Sequence, residues 1–147
     1  VEIELSDGVN SNVIYDYSVS INSSLDKISY YDSIRDNIVF ADINSTNNTF
    51  TEKLFDVPTG LQVVKTIVSE DGSKIYYSSV GFAGASYISV LYVDTGTTKT
   101  IVSNSNVGKN LDTLRFKISE NLDFIAYMGG ENSYNYKLYR EYIGHLK

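Results

Sequence analysis

Three stretches of this chain are written to one plan, and that repetition limits the fold more than any other feature. Val68-Ser69-Glu70-Asp71-Gly72-Ser73-Lys74-Ile75-Tyr76-Tyr77 reads as the end of one strand, a tight turn at Asp71-Gly72 and the opening of a second strand. Glycine accepts the positive φ that such turns need, so Asp-Gly between β-branched and aromatic runs is a hairpin signal. Residues 21–30 and 118–127 repeat the plan, with apolar anchors seven residues apart: Ile21 and Ile28, Val68 and Ile75, Ile118 and Ile125. The hairpins recur after 47 residues, from Ile28 to Ile75, and after 50, from Ile75 to Ile125. A helical array of similar period would need apolar residues three and four apart over long segments, and these are missing.

Between the turn signals, alternation of apolar and polar residues predicts strands over 13–21, 28–31, 38–43 and 50–57 in a first round. A second round is predicted over 61–68, 74–80, 87–93 and 97–102, and a third over 114–118, 124–128 and 134–143. The only proline, Pro58, falls between strands, where its missing N–H costs least. A period near 45 with four short strands per unit is the pattern of β-propeller blades. The expected fold is therefore all-β, one domain of three propeller-like blades with helix nearly absent, its repeats at about 13–57, 61–103 and 113–147. The third round stops after three strands. Val1-Glu2-Ile3-Glu4-Leu5 alternates cleanly and has no hairpin partner, so residues 1–5 are the expected closing outer strand. Three blades do not make a usual ring. A segment of a longer propeller, half of a six-bladed ring shared by two chains, or another stacking all remain open.

The second round carries a resemblance. Ser69, Asp71, Gly72, Ile75 and Tyr77, followed by Leu91, Tyr92, Val93, Asp94 and Gly96, resemble the TolB-type, WD-repeat-like propeller blade. The first and third rounds are read as keeping the Ser and the Ile-x-Tyr but have Ser24-Leu25 and Asn121-Leu122 in place of Asp-Gly. The resemblance implies a propeller fold. Related propellers also form the gating domain of prolyl oligopeptidase-like hydrolases.

Bulk properties narrow the function classes. With 147 residues and 42% apolar content the chain can build one ordinary core. A net charge of −6 repels phosphate backbones and anionic membrane surfaces, so neither nucleic acid nor a membrane is an expected partner. No apolar run approaches the roughly 18 residues of a membrane-spanning helix. The chain opens without Met or a signal-type apolar stretch, and reads as processed or as a piece of something longer. The absence of Cys removes disulfides and thiolate chemistry. Asn22, Asn44 and Asn47 lie in N-x-S/T sequons, which chance supplies readily in so Asn-, Ser- and Thr-rich a chain.

Chemistry-bearing constellations are sparse. The one histidine, His145, sits in a tail expected to fray, and no G-x-S-x-G elbow occurs. Asp26, Asp71 and Asp123 recur near the hairpin turns but fall in separate blades, and read as solvated turn residues. Glu70-Asp71-Gly72-Ser73 and Asp42-Ile43-Asn44 offer hard oxygen ligands without a calcium-loop pattern, so no metal or cofactor is expected. The distinctive feature is aromatic: thirteen Tyr and no Trp. Tyr134, Tyr136, Tyr139 and Tyr142, with Tyr87, are the candidate binding residues, because exposed Tyr supplies contact area and a hydroxyl together. The expected function is a non-catalytic protein-binding or scaffold module with a protein partner, acting as a homodimer or within a longer chain. The alternatives are the gating part of a hydrolase and a carbohydrate-binding module.

Overall fold

Alternating β-branched, aromatic and polar residues form eleven strands among the residues that the computed structural model describes, 19–47, 49–104, 110–130 and 135–147. They are β1 (Ser20–Ile21), β2 (Lys27–Asp32), β3 (Asn37–Asn44), β4 (Thr49–Asp56), β5 (Gln62–Val68), β6 (Lys74–Val80), β7 (Ser86–Tyr92), β8 (Thr98–Ser103), β9 (Asn110–Ile118), β10 (Phe124–Gly130) and β11 (Tyr136–Tyr142). Neighbours in sequence pair antiparallel, giving three sheets: β1-β2-β3-β4, β5-β6-β7-β8 and β9-β10-β11. Single 3-10 turns lie at Phe82–Gly84 and Gly144–Leu146. The fold is all-β. The expected first strand appears here as Ser20–Ile21 alone; most of its predicted length, and residues 1–5, lie outside the described residues.

One turn geometry opens each sheet, and it is longer than the Asp-Gly signal implies. Leu25 N–H donates to the Asn22 carbonyl (3.2 Å), Gly72 to Ser69 (3.0 Å) and Leu122 to Ser119 (2.9 Å). The fourth residue of each turn is left-handed, with φ of 59° at Leu25, 71° at Gly72 and 59° at Leu122. A polar side chain at the first position then caps the returning strand. Asn22 Oδ1 accepts from Lys27 N (3.0 Å), Ser69 Oγ from Lys74 N (3.0 Å) and Ser119 Oγ from Phe124 N (2.9 Å). Asn22 therefore stands where the other two turns carry serine, so the first round does not keep the motif Ser as its sequence suggested: the carboxamide oxygen does the hydroxyl's capping there. The third strand of each sheet is hooked to the same turn, as Ile43, Val93 and Ile143 donate to the carbonyls of Asp26, Ser73 and Asp123 at 2.7–2.9 Å. Corresponding positions follow from these bonds. Asp26 and Asp123 match Ser73, whereas Asp71 matches Ser24 and Asn121, the alignment that the repeat spacing gives.

The sheets pack face to face. Ile38 and Phe40 of the first sheet meet Ile75, Tyr77 and Leu91 of the second, all buried. On its other face the second sheet presents Tyr76, Ile88 and Val90 to Phe116, Ile125 and Tyr127 of the third. Polar pins cross both interfaces: Ser29 Oγ lies 3.0 Å from Thr66 Oγ1, the Ser78 hydroxyl donates to the Thr113 carbonyl, and Lys65 Nζ donates to the Leu114 carbonyl at 3.0 Å. The expected fraying of the tail is overturned: Ile143 and Leu146 are buried in the core between the second and third sheets, and Tyr92 OH holds the Leu146 carbonyl at 3.1 Å.

Candidate functional site

At the turn rim Asp26, Glu70, Asp71 and Asp123 are engaged within the protein. Glu70 reaches from the second turn to the first, its carboxylate accepting the Ser23 N–H (2.9 Å), the Ser24 N–H (3.2 Å) and both serine hydroxyls. The Ser23 bonds, followed by those of Ser24, hold its carboxyl below the usual range. Asp71 folds back on its own turn, accepting from Ser73 N (2.9 Å) and Ser69 Oγ (2.7 Å), and these bonds bring its pKa down to about 2. Asp26 bonds Asn22 and Lys27, and Asp123 pairs with Lys147 at 2.6 Å. Glu70, Asp71 and Ser73, raised as hard oxygen ligands, are thus held in bonds within and between the turns, and no group of three metal-ligating side chains occurs among the described residues. Asn22 is spent too: it is buried, donates to Asp26 and the Glu70 carbonyl, and is a poor glycan acceptor, whereas Asn44 and Asn47 are exposed.

A cleft of about 440 Å³ opens where the second and third turns adjoin, with Ile67, Tyr76, Ile118 and Leu122 in its wall and Glu70 and Glu120 among its lining. Glu120 holds the place in the third turn that Glu70 holds in the second. The turn it would reach offers Glu70 and Asp71 where Ser23 and Ser24 offer donors, so the bridge made once is not repeated.

A carboxyl whose folded pKa lies below its unfolded value stabilises the fold above the unfolded pKa, and that contribution is lost as pH falls through the folded one. For Asp71 the window runs from 3.8 down to about 2. The group is largely exposed, so solvent screening leaves about 1 kcal/mol at most. Thermal melts between pH 5 and pH 2 should show a steeper loss of stability in the wild type than in Asp71→Asn. Equal slopes would dismiss the turn bonds as a source of acid sensitivity.

The outward face of the third sheet differs from those of the first two. Leu138 pairs with Met128 in register as Ile38 pairs with Tyr31 and Ile88 with Ser78. Ile38 and Ile88 are 2% and 0% exposed beneath the following sheet, whereas Leu138 is 72% exposed. Around it lie Ala126 and Met128 of β10 and Tyr136, Arg140 and Tyr142 of β11, with Tyr142 60% exposed. The Arg140 guanidinium sits 3.6 Å over the Phe124 ring, which meets Tyr142 edge-on at 5.6 Å. This is an open surface of aliphatic, aromatic and guanidinium groups.

The structure separates the tyrosines that sequence grouped. Tyr136 and Tyr142 share the open face. Tyr139 points to the packed face and stacks on Tyr127 with ring centroids 5.5 Å apart. Tyr87 is half-buried in another sheet, opposite Ser79 and Ser103. Tyr134 lies outside the described residues. His145 lies beside the Tyr142 ring, 6.2 Å between centroids. Leu138, Arg140 and Phe124 complete the surface, and the signal for Leu138 was its match in register to Ile38 and Ile88.

No family model and no curated protein matches the chain. Among solved structures it is similar to a protein from Lactobacillus plantarum, with a TM-score of 0.53 and 15% identity over 88% of this chain and 38% of that one. A luciferin-regenerating enzyme gives a TM-score of 0.46 and 14% identity over 84% of this chain and 43% of that one. The chain spans less than half the length of either structure, and its likeness to the first is one of fold.

Proposed function

We propose that the three sheets are successive propeller-type blades, and that the chain is a non-catalytic protein-binding module whose contact surface is the open face of the third sheet. One observation carries the reading: Leu138 is exposed at the position where Ile38 and Ile88 are buried under the next sheet. An apolar floor with Tyr136, Tyr142 and Arg140 has the composition of a protein interface, in which aromatic and Arg anchors carry most of the energy. The partner that fits is a protein surface with an apolar patch to cover Leu138 and a carboxylate to meet Arg140. A photo-crosslinking phenylalanine analogue in place of Tyr142 should give a discrete protein adduct in cells of the source organism, and Leu138→Asp in the same chain should abolish it. Adducts that persist unchanged with Leu138→Asp, or none at all, would reject the surface.

A further inference from the structure

The outer edge of β11 is a strand edge that no described strand pairs with, although β3 and β7 are each flanked by a fourth strand at that place. Its open backbone groups can be assigned. Ile143 N–H donates inward to the Asp123 carbonyl, and in an antiparallel ladder the inward-bonded residues alternate. Residues 137, 139 and 141 therefore bond β10, while Tyr136, Leu138, Arg140 and Tyr142 turn N–H and C=O outward. The second sheet agrees: Tyr92, which corresponds to Tyr142, donates outward to Thr97 at 2.9 Å. An edge of this length is a template for another strand.

The sequence of β11 is complementary to itself read backwards. We propose that two copies of this chain pair through β11 across a two-fold axis centred on Tyr139, making one continuous sheet. In that register Tyr136 lies opposite the second copy's Tyr142 and Leu138 opposite its Arg140, the four outward-bonding residues meeting one another. Lys137 falls opposite the second copy's Glu141, twice by symmetry. Shifting the centre to residue 140 sets arginine against arginine, and shifting it to 138 breaks the Lys–Glu match. Lys137 is exposed, and Glu141, half-buried, accepts from Tyr127 OH through Oε1 on the same side of the sheet. The pairing goes beyond the open-face reading and does not depend on it, because it uses backbone groups and the Lys137 and Glu141 side of the strand.

Sedimentation of the full chain tests this. The wild type should dimerise at micromolar concentration, and Lys137→Glu and Glu141→Lys should each weaken the dimer roughly tenfold or more, since each replaces two attractions by two repulsions. An equimolar mixture of the two variants should restore dimerisation, because every 137–141 contact then joins opposite charges. Restoration also separates lost contact from lost folding, which mixing cannot repair. The chain has no cysteine, so Lys137→Cys mixed with Glu141→Cys gives a second readout. Cα atoms about 4.5 Å apart in a non-hydrogen-bonded pair admit a disulfide, and the mixture should cross-link where neither variant alone does. A wild type that stays monomeric, or a dimer indifferent to both charge reversals, would overturn the proposal. So would a dimer lost on deleting residues 1–5 but not on charge reversal, which would assign the edge to the N-terminal segment.

Discussion

Tyr127→Ala is expected to cost about 3–5 kcal/mol, the range for removing a large aromatic side chain from a core. Tyr127 is 2% exposed in the core between the second and third sheets, pairs with Phe116 of β9, and stacks on Tyr139 of β11. The cavity would therefore open where all three strands of the third sheet and the second sheet meet. Domains of this size are stable by about 5–15 kcal/mol, so roughly a fifth or more of the total is at stake. Tyr127→Phe isolates the hydroxyl. Burial, then the bond to Glu141, pushes the phenol pKa upward, so the hydroxyl stays protonated and donates to the carboxylate. Its removal strips a half-buried carboxylate of a charge-assisted donor, which costs about 1–3 kcal/mol. Urea unfolding should show both as lower midpoints at unchanged slope. Tyr142→Ala, at a 60% exposed tyrosine, should stay within about 0.5 kcal/mol. If Tyr127→Ala matched Tyr142→Ala, the third sheet would not be packed as described.

The same tyrosines show what the sequence could and could not disclose. Strand positions were legible because side chains alternate across a sheet, and the predicted runs 74–80, 38–43 and 124–128 fall on β6, β3 and β10 with end shifts of two residues at most. Which face is covered was not legible, because covering is decided by the neighbouring sheet. Tyr139 and Tyr142 are indistinguishable in composition, yet one stacks on Tyr127 and the other is exposed. The turn alignment was legible from spacing: Leu25, Gly72 and Leu122 fall at one place, and all three are left-handed, so Asp71 precedes that residue while Asp26 and Asp123 follow it. The tail looked unanchored because the bond from Tyr92 OH to the Leu146 carbonyl links residues 54 apart in sequence.

Gly72→Leu is expected to cost about 2 kcal/mol, although leucine is what the other two turns carry at this place. A left-handed φ costs a residue with a Cβ roughly 1–2 kcal/mol, and Gly72 sits at 71°. Its surroundings add to that cost. A Cβ there would lie 2.9 Å from Lys27 Cδ and 3.2 Å from Phe40 Cζ. Lys27 would have to move away from Asp42, which it holds at 2.9 Å, and from Asp26 at 3.2 Å. Leu25 is the opposite case, with the same backbone strain at 59° and a side chain 70% exposed that packs on little. Leu25→Gly relieves the strain but adds unfolded-chain entropy, and should gain about 0.5 kcal/mol. Leu122 shares the φ of 59° but packs against the core between the second and third sheets, so Leu122→Gly loses contact area and gains nothing net. Three substitutions at one turn position should thus separate in thermal melts as loss, gain and neither. Equal shifts at Leu25 and Leu122 would mean that packing around the turn, as opposed to backbone conformation, does not set the choice between leucine and glycine there.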